Sequence, residues 1–260
     1  MCSSDLGLNP SITDIVQDKR PGHTSTWYAT TGEGYGASAS GSGAYYLGSG
    51  VYKSTNGGIT WSVLTSTSSN TPHNFDNVWD LAWRIAVDPS DTVNNVLYAA
   101  TYGAIFRSTN GGTSWSVEKG SNSTSPFSYF ADVAVTGNGT VYATLSSDGT
   151  YGGIWRKDKS LGWAEITPAD LDTATFDRFV IGINPLNENQ VYFLGQTPLH
   201  GKRSTNYKGD EEYNSLLKYT YLSGNGTGVG GHWDDLSVNL PYDSSQLGNF
   251  NAQGCYNLVV

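Results

Sequence analysis

The chain has 260 residues and a formal net charge of −9, and only 14% of its residues are charged, against about 25% in an average globular protein. Its few Lys and Arg residues are scattered, so it lacks the clustered positive charge that phosphate binding requires, and nucleic acid is excluded as a partner. The 32 Gly, 17 Tyr and 8 Trp favour turns and strands over helices. No apolar run is long enough to span a bilayer, so no membrane span is expected.

The first six residues carry a pattern unrelated to any fold. Residues 2–6, Cys-Ser-Ser-Asp-Leu, are what a common sequencing adapter encodes when it is read in frame. We therefore predict that residues 1–6 are a sequencing artefact and that the natural chain begins upstream of Gly7. Cys255 is then the one remaining cysteine, and a single cysteine forms no internal disulfide.

An octapeptide occurs twice, starting at residues 54 and 108, a separation of 108 − 54 = 54 residues. The first copy reads Ser-Thr-Asn-Gly-Gly-Ile-Thr-Trp and the second Ser-Thr-Asn-Gly-Gly-Thr-Ser-Trp. Asn-Gly-Gly permits positive φ angles, so each copy predicts a tight turn between two antiparallel strands. The Trp opens the next strand and can fold back over the hairpin as an apolar plug.

Strand-like runs around these copies define a unit of four strands. The second copy belongs to a unit with runs at 84–89, 95–100 and 104–107 and a fourth strand opened by its Trp. The template returns in degraded form at 132–135, 140–143, 153–156 and 162–164, and a further unit begins at 180–185 and 190–194. The polar stretch 200–230 is predicted to be a long loop around one strand, 215–219, after which Trp233 takes the plug position.

Four-stranded units with a period of 40–50 residues are typical of β-propeller blades, which stack around a central channel because one blade cannot bury both its faces. Residues 254–260 read as the first strand of another blade. The predicted fold class is therefore all-β: an incomplete β-propeller of four-stranded antiparallel blades, about four of them plus the first strand of a fifth. The predicted domain spans residues 7–260, is truncated at both ends and has the remaining blades of the same chain as a partner.

The octapeptides resemble the BNR or Asp-box repeat, Ser/Thr-x-Asp-x-Gly-x-x-Trp, with Asn where Asp is usual. The segments 26–34, 48–54 and 253–258 resemble secreted bacterial sortilin-like (VPS10-type) and xyloglucanase-like propellers. The resemblance implies a secreted or cell-surface protein, exported in many such cases through a type nine secretion system. In these families the box is structural, which implies a turn-forming role for Ser54, Asn56, Gly58, Trp61, Ser108, Asn110, Gly112 and Trp115.

The catalytic residues of the related enzymes are poorly matched. The Arg-Ile-Pro motif of sialidases is absent, and Arg107 and Arg156 precede box turns, which predicts a solvated rim and not a substrate clamp. Xyloglucanase-like enzymes carry a first-blade aspartate in a segment like Tyr-Ala-Arg-Thr-Asp-Gly-Gly, whereas this chain has Glu33 displaced by one position. A one-residue shift in a strand turns the side chain to the other face, so Glu33 is a weak catalytic candidate.

Residues just before the innermost strands are better placed for ligand contact, because those loops open at the mouth of a propeller channel. Trp beside Asp suits sugar stacking and hydrogen bonds to hydroxyls, although the same Trp residues could fill space between blades. The ligand-binding candidates are Asp76, Trp79, Asp80, Trp83, Asp132, Asp177 and Arg178. The four His residues lack ligand spacing, so no metal and no cofactor is expected.

Two functions remain open. The first is a non-catalytic secreted propeller that binds polysaccharide or an extracellular protein, which the repeats and the lack of an acid/base pair favour. The second is an extracellular glycoside hydrolase of the xyloglucanase-like type, an endo-glucanase, which the shared first-blade segment favours. Fold alone does not choose between them.

Overall fold

The computed structural model of the protein describes residues 11–33, 47–69, 71, 74–125, 129–147, 149–171, 175–205, 209–242 and 250. The predicted artefact at residues 1–6 and the predicted fifth-blade strand at 254–260 lie outside these described residues. So does most of the Gly- and Ser-rich segment after Glu33.

The described chain forms seventeen strands and four short 3-10 helices, with no α-helix among the described residues. Sheet 1 comprises β1 (Ile12–Gln17), β2 (Trp27–Thr31), β3 (Val51–Ser54) and β4 (Ser62–Val63). Sheet 2 comprises β5 (Ala82–Val87), β6 (Leu97–Thr101), β7 (Ala104–Ser108) and β8 (Ser116–Gly120). Sheet 3 comprises β9 (Ala131–Val135), β10 (Val141–Leu145), β11 (Gly153–Asp158) and β12 (Gly162–Glu165).

Sheet 4 has five strands: β13 (Phe179–Ile183), β14 (Gln190–Gln196), β15 (Lys202–Thr205), β16 (Glu211–Tyr221) and β17 (Gly231–Asp235). All pairings in the four sheets are antiparallel. The 3-10 helices are Thr65–Thr67, Val78–Asp80, Gly228–Gly230 and Ser237–Asn239. The predicted all-β class, built from four-stranded antiparallel units, is confirmed.

The inner strands β1, β5, β9 and β13 each form one edge of their sheet, and neighbouring inner strands contact one another. Every sheet therefore turns the same edge toward its neighbours, as the blades of a propeller do. Strand β1 is the one inner strand that the repeat pattern does not predict, because no octapeptide-like template lies around residues 12–17.

The predicted long loop at 200–230 is wrong in part. Strand β16 is eleven residues long, and β15 pairs with its first half through the register Lys202↔Asn214 to Thr205↔Glu211. Glu212, Asn214 and Ser215 of β16 are buried although they are polar. A strand with polar residues on buried positions breaks the apolar-polar alternation on which sequence-based strand prediction depends, so residues 211–214 read as a loop. The predicted strand 215–219 is confirmed as the later part of β16.

The two octapeptides form the same turn. In the first, the Ser54 hydroxyl accepts the Gly58 N–H at 3.0 Å and donates to Asn56 Oδ1 at 2.9 Å. In the second, the Ser108 hydroxyl makes the equivalent bonds to Gly112 N–H and Asn110 Oδ1, both at 2.9 Å. The glycines adopt positive φ angles, as the Asn-Gly-Gly sequence predicts. Trp61 folds back on its own hairpin, because its Nε1–H donates to the Gly58 carbonyl at 3.0 Å.

Replacing Ser108 with alanine is expected to lower the free energy of unfolding by about 1 to 3 kcal/mol, because the hydroxyl is buried and the Gly112 N–H would lose its acceptor. Urea denaturation measures the change. The matched control is Ser114→Ala in the same turn. Its hydroxyl is exposed and accepts one bond from Asn110, so less than about 1 kcal/mol is expected there. Equal losses in the two variants would contradict this assignment of the turn.

Aromatic side chains fill the spaces between sheets. Between sheets 3 and 4, Tyr142 packs edge-on against Phe193 and Tyr219, and both of these also contact Trp233. Trp233 thus occupies the plug position that the sequence predicts for it. Its Nε1–H donates to the Ile166 carbonyl of the neighbouring sheet at 2.8 Å.

The predicted solvated rim is wrong for Arg156, which is only 3% exposed. Its guanidinium lies 3.9 Å from the Tyr221 ring centroid, and Nη1 donates to the Asn225 carbonyl at 3.4 Å. The reason is strand β16, which continues past the predicted strand 215–219 to Tyr221, the residue that covers the arginine. Arg107, at the equivalent place in sheet 2, stays one-third exposed.

Candidate functional site

The connections from the last strand of one sheet to the inner strand of the next, here called the mouth connections, create a pocket of about 470 Å³. The β4–β5 connection contributes Ser66 and residues 76–79, and the β8–β9 connection contributes residues 122–124. Phe106 of β7 completes the lining of this mouth pocket. Hydroxyl, amide and carboxylate groups dominate it, and Asp76 is the one charged residue among the described residues that line it.

The β4–β5 connection is shaped by a reciprocal hydrogen-bond arrangement around the short helix Val78–Asp80. Asn77 Oδ1 accepts the Trp79 N–H at 3.1 Å, while Asp80 Oδ2 accepts the N–H groups of Asp76 at 3.0 Å and Asn77 at 2.8 Å. This is a capping box, which satisfies amide groups that the first turn of a helix leaves unpaired. Asp80 therefore fixes the turn that presents Asp76 to the pocket.

The two predicted ligand-binding tryptophans are almost fully buried. Trp79 is 5% exposed and packs on Phe106 and Trp115, with ring centroids 4.6 and 5.0 Å apart. Trp83 is 3% exposed, and its ring centroid lies 5.3 Å from that of Phe130. Its Nε1–H donates to the Tyr129 carbonyl. Neither ring offers a free face to a stacking sugar. Trp79 reaches the pocket wall, and Trp83 fills the space between sheets 2 and 3.

Asp80 and Asp76 have opposite environments. Asp80 is 2% exposed, and burial raises its pKa to about 6, against the opposing effect of its bonds to the Asn77 and Asp76 amides. Hydrogen bonds from Thr71 and Ser69 lower the pKa of the Asp76 carboxyl, which stands in solvent. At neutral pH the pocket therefore carries an exposed carboxylate on its rim, and a second carboxylate lies behind it, bound to the backbone.

The raised pKa of Asp80 predicts how stability depends on pH. Between pH 3.8, the ordinary pKa, and about pH 6, the folded protein binds more protons than the unfolded chain. The contribution of this carboxyl to the free energy of unfolding is therefore largest below pH 3.8 and falls as the pH rises through 6. The whole fall in the free energy of unfolding is at most about 3 kcal/mol. Urea denaturation from pH 4 to 7 is expected to show this decline relative to Asp80→Asn. A difference between the two proteins that does not change with pH would contradict it.

A second candidate region lies on the inner strands. Asp14, Arg84 and Asp132 stand at equivalent register positions of β1, β5 and β9. The Arg84 guanidinium lies 3.6 Å from a carboxylate oxygen of Asp14 and 3.6 Å from one of Asp132. We call this set the inner-strand row. Asp14 and Arg84 line a groove of about 460 Å³ that runs along all four inner strands.

The carboxylates of the inner-strand row also bind the backbone of the following sheet. Asp14 Oδ2 accepts the Ile85 N–H at 3.0 Å, and Asp132 Oδ2 accepts the Ile181 N–H at 2.8 Å. Burial raises the pKa of Asp14 although the Ile85 amide and Arg84 oppose this. The predicted ligand-binding residue Asp132 is 1% exposed, and its bond to Ile181 joins sheets 3 and 4.

The structure separates the remaining predicted site residues. The Arg178 guanidinium lies 5.6 Å from the Trp83 ring, and the neighbouring Asp177 is tied by its N–H to the Gln196 carbonyl at 3.0 Å. Glu33 accepts a hydrogen bond from Ser11 at 3.1 Å and does not line the mouth pocket. The predicted residues therefore do not form one site, and Asp76 and Trp79 are the two that line the pocket.

The octapeptide turns lie away from the mouth pocket. Strands β4 and β8 each run from an octapeptide turn to a mouth connection, so the two features are at opposite ends of the same strands. The sequence prediction missed the other residues of the pocket lining, which are Ser66, Asn77, Val78, Phe106 and the stretch 122–124. The signal of the polar ones is weak, since small polar residues before a strand are typical of any loop.

Among the residues that the structure describes, no group of His, Cys, Asp and Glu is arranged to hold a metal ion. Within the same part of the chain, no helix is long and apolar enough to cross a membrane. Of the four His residues, His73 falls outside the described ranges.

Comparison with solved structures shows the class of fold. The chain is similar to a crystal structure described as that of an ancestral GH74 enzyme, with a TM-score of 0.56 and 20% sequence identity. The match covers 91% of this chain and 28% of that chain, so the chain spans little more than a quarter of the length of this neighbour. No family model and no curated protein matches the sequence. At this identity the likeness shows the fold alone, and the predicted all-β propeller architecture is confirmed.

Proposed function

We propose that the protein is a secreted or cell-surface β-propeller of the Asp-box kind that binds polysaccharide at its mouth pocket without cleaving it. The observation that carries the proposal is the composition of the pocket. At about 470 Å³ it has the size of a small-ligand site, and its walls hold hydroxyl, amide and carboxylate groups beside two aromatic residues. Sugars present hydroxyl groups that need such donors and acceptors.

The position of the carboxyl groups supports binding over hydrolysis. An inverting glycosidase needs two accessible carboxyl groups about 6.5 to 9.5 Å apart, one as acid and one as base. Asp76 is the one carboxylate among the described residues of the pocket lining, because Asp80 is buried and accepts two backbone N–H bonds. The described lining of the pocket therefore offers hydrogen-bonding groups to a sugar, but it does not offer the second carboxyl group of the pair.

A glycoside hydrolase of the xyloglucanase-like type is the second candidate, and the likeness of the fold to a GH74 enzyme favours it. The two proposals differ in one measurable product. Incubation with xyloglucan followed by an assay for reducing ends detects hydrolysis, and we expect none. Release of reducing ends that Asp76→Asn or Glu33→Gln abolishes would overturn the preference for binding.

Binding is tested by isothermal titration against soluble xyloglucan, mixed-linkage β-glucan, starch and pectin. Asp76→Ala and Asn122→Ala, which both change the pocket wall, are expected to weaken binding at least fivefold. The matched control is Asp170→Asn, an exposed carboxylate outside the lining, which should leave affinity unchanged. Binding that survives both pocket variants places the ligand elsewhere. If no glycan binds and an extracellular protein does, polysaccharide is the wrong ligand class.

A further inference from the structure

We infer that the mouth pocket takes an amino sugar whose free amine is protonated, as in oligomers of glucosamine, and that the Asp76 carboxylate pairs with the ammonium group. The inference rests on the proposed function and deepens it, because it names the class of sugar that the pocket would hold. The charge, the exposure and the hydrogen-bonding groups of the described pocket lining support it.

Asp76 gives the pocket a negative charge that no other described residue of its lining balances. The lining contains no Lys, Arg or His among its described residues. None of the ion pairs among the described residues includes Asp76. The remaining polar residues of the lining are neutral: Ser66, Asn77, Asn122, Ser123 and Thr124. A ligand with a positive charge would therefore complement the pocket.

The Asp76 carboxylate is held at the rim of the pocket by bonds of its own. The Thr71 hydroxyl donates to Asp76 Oδ2, and hydrogen bonds from Thr71 and Ser69 lower the pKa of this carboxyl. The Asp76 N–H donates to Asp80 Oδ2 at 3.0 Å, which fixes the residue in the capped turn. A carboxylate has about four lone-pair sites, so it can accept further bonds from an ammonium group.

The rest of the lining favours a sugar over the Lys or Arg side chain of a peptide. Such a side chain has a long apolar stem, which needs an apolar surface to lie on. Trp79 and Phe106 are each only 5% exposed, so the described lining offers little of that surface. The amine of an amino sugar is instead attached directly to a ring that carries hydroxyl groups. Those hydroxyls suit the amide and hydroxyl groups of residues 122–124.

The charge of the whole chain acts in the same direction. Its 23 acidic and 14 basic residues leave an excess of negative charge, which attracts a cationic glycan and repels one that carries carboxylates. Asp76 is exposed, so salt screens its pairing and the gain in affinity is modest. We therefore expect about a three- to fivefold preference for the cationic sugar over its neutral counterpart.

Two oligosaccharides form a matched pair for the test. The glucosamine tetramer and cellotetraose share the same backbone and differ at C2 of each ring, where the first has an amine and the second a hydroxyl. In isothermal titrations at pH 5.5 and low salt, where the amines are protonated, the wild-type chain should bind the glucosamine tetramer about three- to fivefold more tightly. In 0.5 M NaCl the two should bind alike, because the Debye length falls to about 4 Å.

Asp76→Asn tests the pairing itself, because it removes the charge and keeps the backbone N–H that Asp80 holds. This variant should bind the two tetramers with equal affinity. Asp170→Asn removes an exposed carboxylate outside the lining and should keep the wild-type preference. A preference that Asp76→Asn retains would overturn the inference, because the ammonium group would then be bound elsewhere.

The titrations also separate this inference from the proposed function. If the wild-type chain binds both tetramers with equal affinity at low salt, the inference fails and the proposed function stands. If no glycan binds, the proposed function fails and the inference fails with it. If tetralysine binds in a way that depends on Asp76 and neither tetramer binds, the pocket takes a cationic peptide and both proposals are wrong.

Discussion

Replacing Arg20 with alanine is expected to lower the free energy of unfolding by about 3 to 5 kcal/mol, because it leaves a buried carboxylate without its partner. Arg20 lies between β1 and β2 and is 5% exposed, and Asp18 is 1% exposed. Its Nε and Nη2 donate to the two Asp18 oxygens at 2.9 and 2.6 Å. Hydrogen bonds from Arg20 lower the pKa of Asp18, against the opposing effect of burial.

The same guanidinium joins two sheets, which adds to the expected loss. Its Nη1 donates to the carbonyls of Asp91 and Asn94 at 2.7 and 2.8 Å, and Nη2 donates to Asn95 Oδ1 at 2.8 Å. These three residues lie in the β5–β6 connection of sheet 2. The arginine therefore bonds sheet 1 to sheet 2 with all of its donors used.

Urea denaturation at pH 7 measures the effect of Arg20→Ala. The matched control is Arg203→Ala, whose ion pair with Glu211 is exposed on both partners, so a loss of at most about 1 kcal/mol is expected. If Arg20→Ala were no more destabilising than Arg203→Ala, the arginine would not hold the two sheets together.

Replacing Phe193 with alanine is expected to cost about 3 to 5 kcal/mol of stability, the range for large core aromatics that leave a cavity. Phe193 is fully buried in β14. Its ring centroid lies 5.3 Å from that of Trp233 in its own sheet and 6.4 Å from that of Tyr142 in sheet 3. The cavity would open in the space between sheets 3 and 4, where backbone of both sheets limits collapse.

Thermal unfolding followed by near-ultraviolet circular dichroism checks this prediction, because Trp233 and Tyr142 would lose their fixed surroundings. Leu186→Ala is the control: Leu186 is 95% exposed, and its removal should change stability by less than about 0.5 kcal/mol. A small effect of Phe193→Ala would mean that sheets 3 and 4 are not packed through this aromatic group.

The fold could be predicted from the sequence because its signal is periodic and local. The two Asn-Gly-Gly turns fix hairpins with little help from the rest of the chain, and strands such as β6 and β10 combine β-branched and aromatic residues in short runs. Residues 215–219 were predicted as a strand and form the later part of β16, but its first residues escaped prediction because Glu212 and Asn214 are polar at buried positions, where only tertiary packing could place them.

The candidate site was harder to predict, because exposure depends on residues far away in sequence. Trp79 and Asp76 look alike as mouth residues, yet Phe106 of β7 and Trp115, just before β8, bury the tryptophan while the aspartate stays in solvent. Asp14 and Arg84 gave no local signal at all. Their pairing with Asp132 follows from the equivalent register of three strands, which is visible only when the sheets are assembled.

The two backbone contacts of the inner-strand row run in one direction along the chain. In each, an earlier sheet supplies the carboxylate and the following sheet supplies the amide: Asp14 to Ile85, and Asp132 to Ile181. During synthesis from the N-terminus, the acceptor has therefore left the ribosome before the strand that needs it. Each contact therefore makes the burial of an earlier carboxylate depend on the docking of a later sheet, because without that sheet the carboxylate would lose the amide that it accepts.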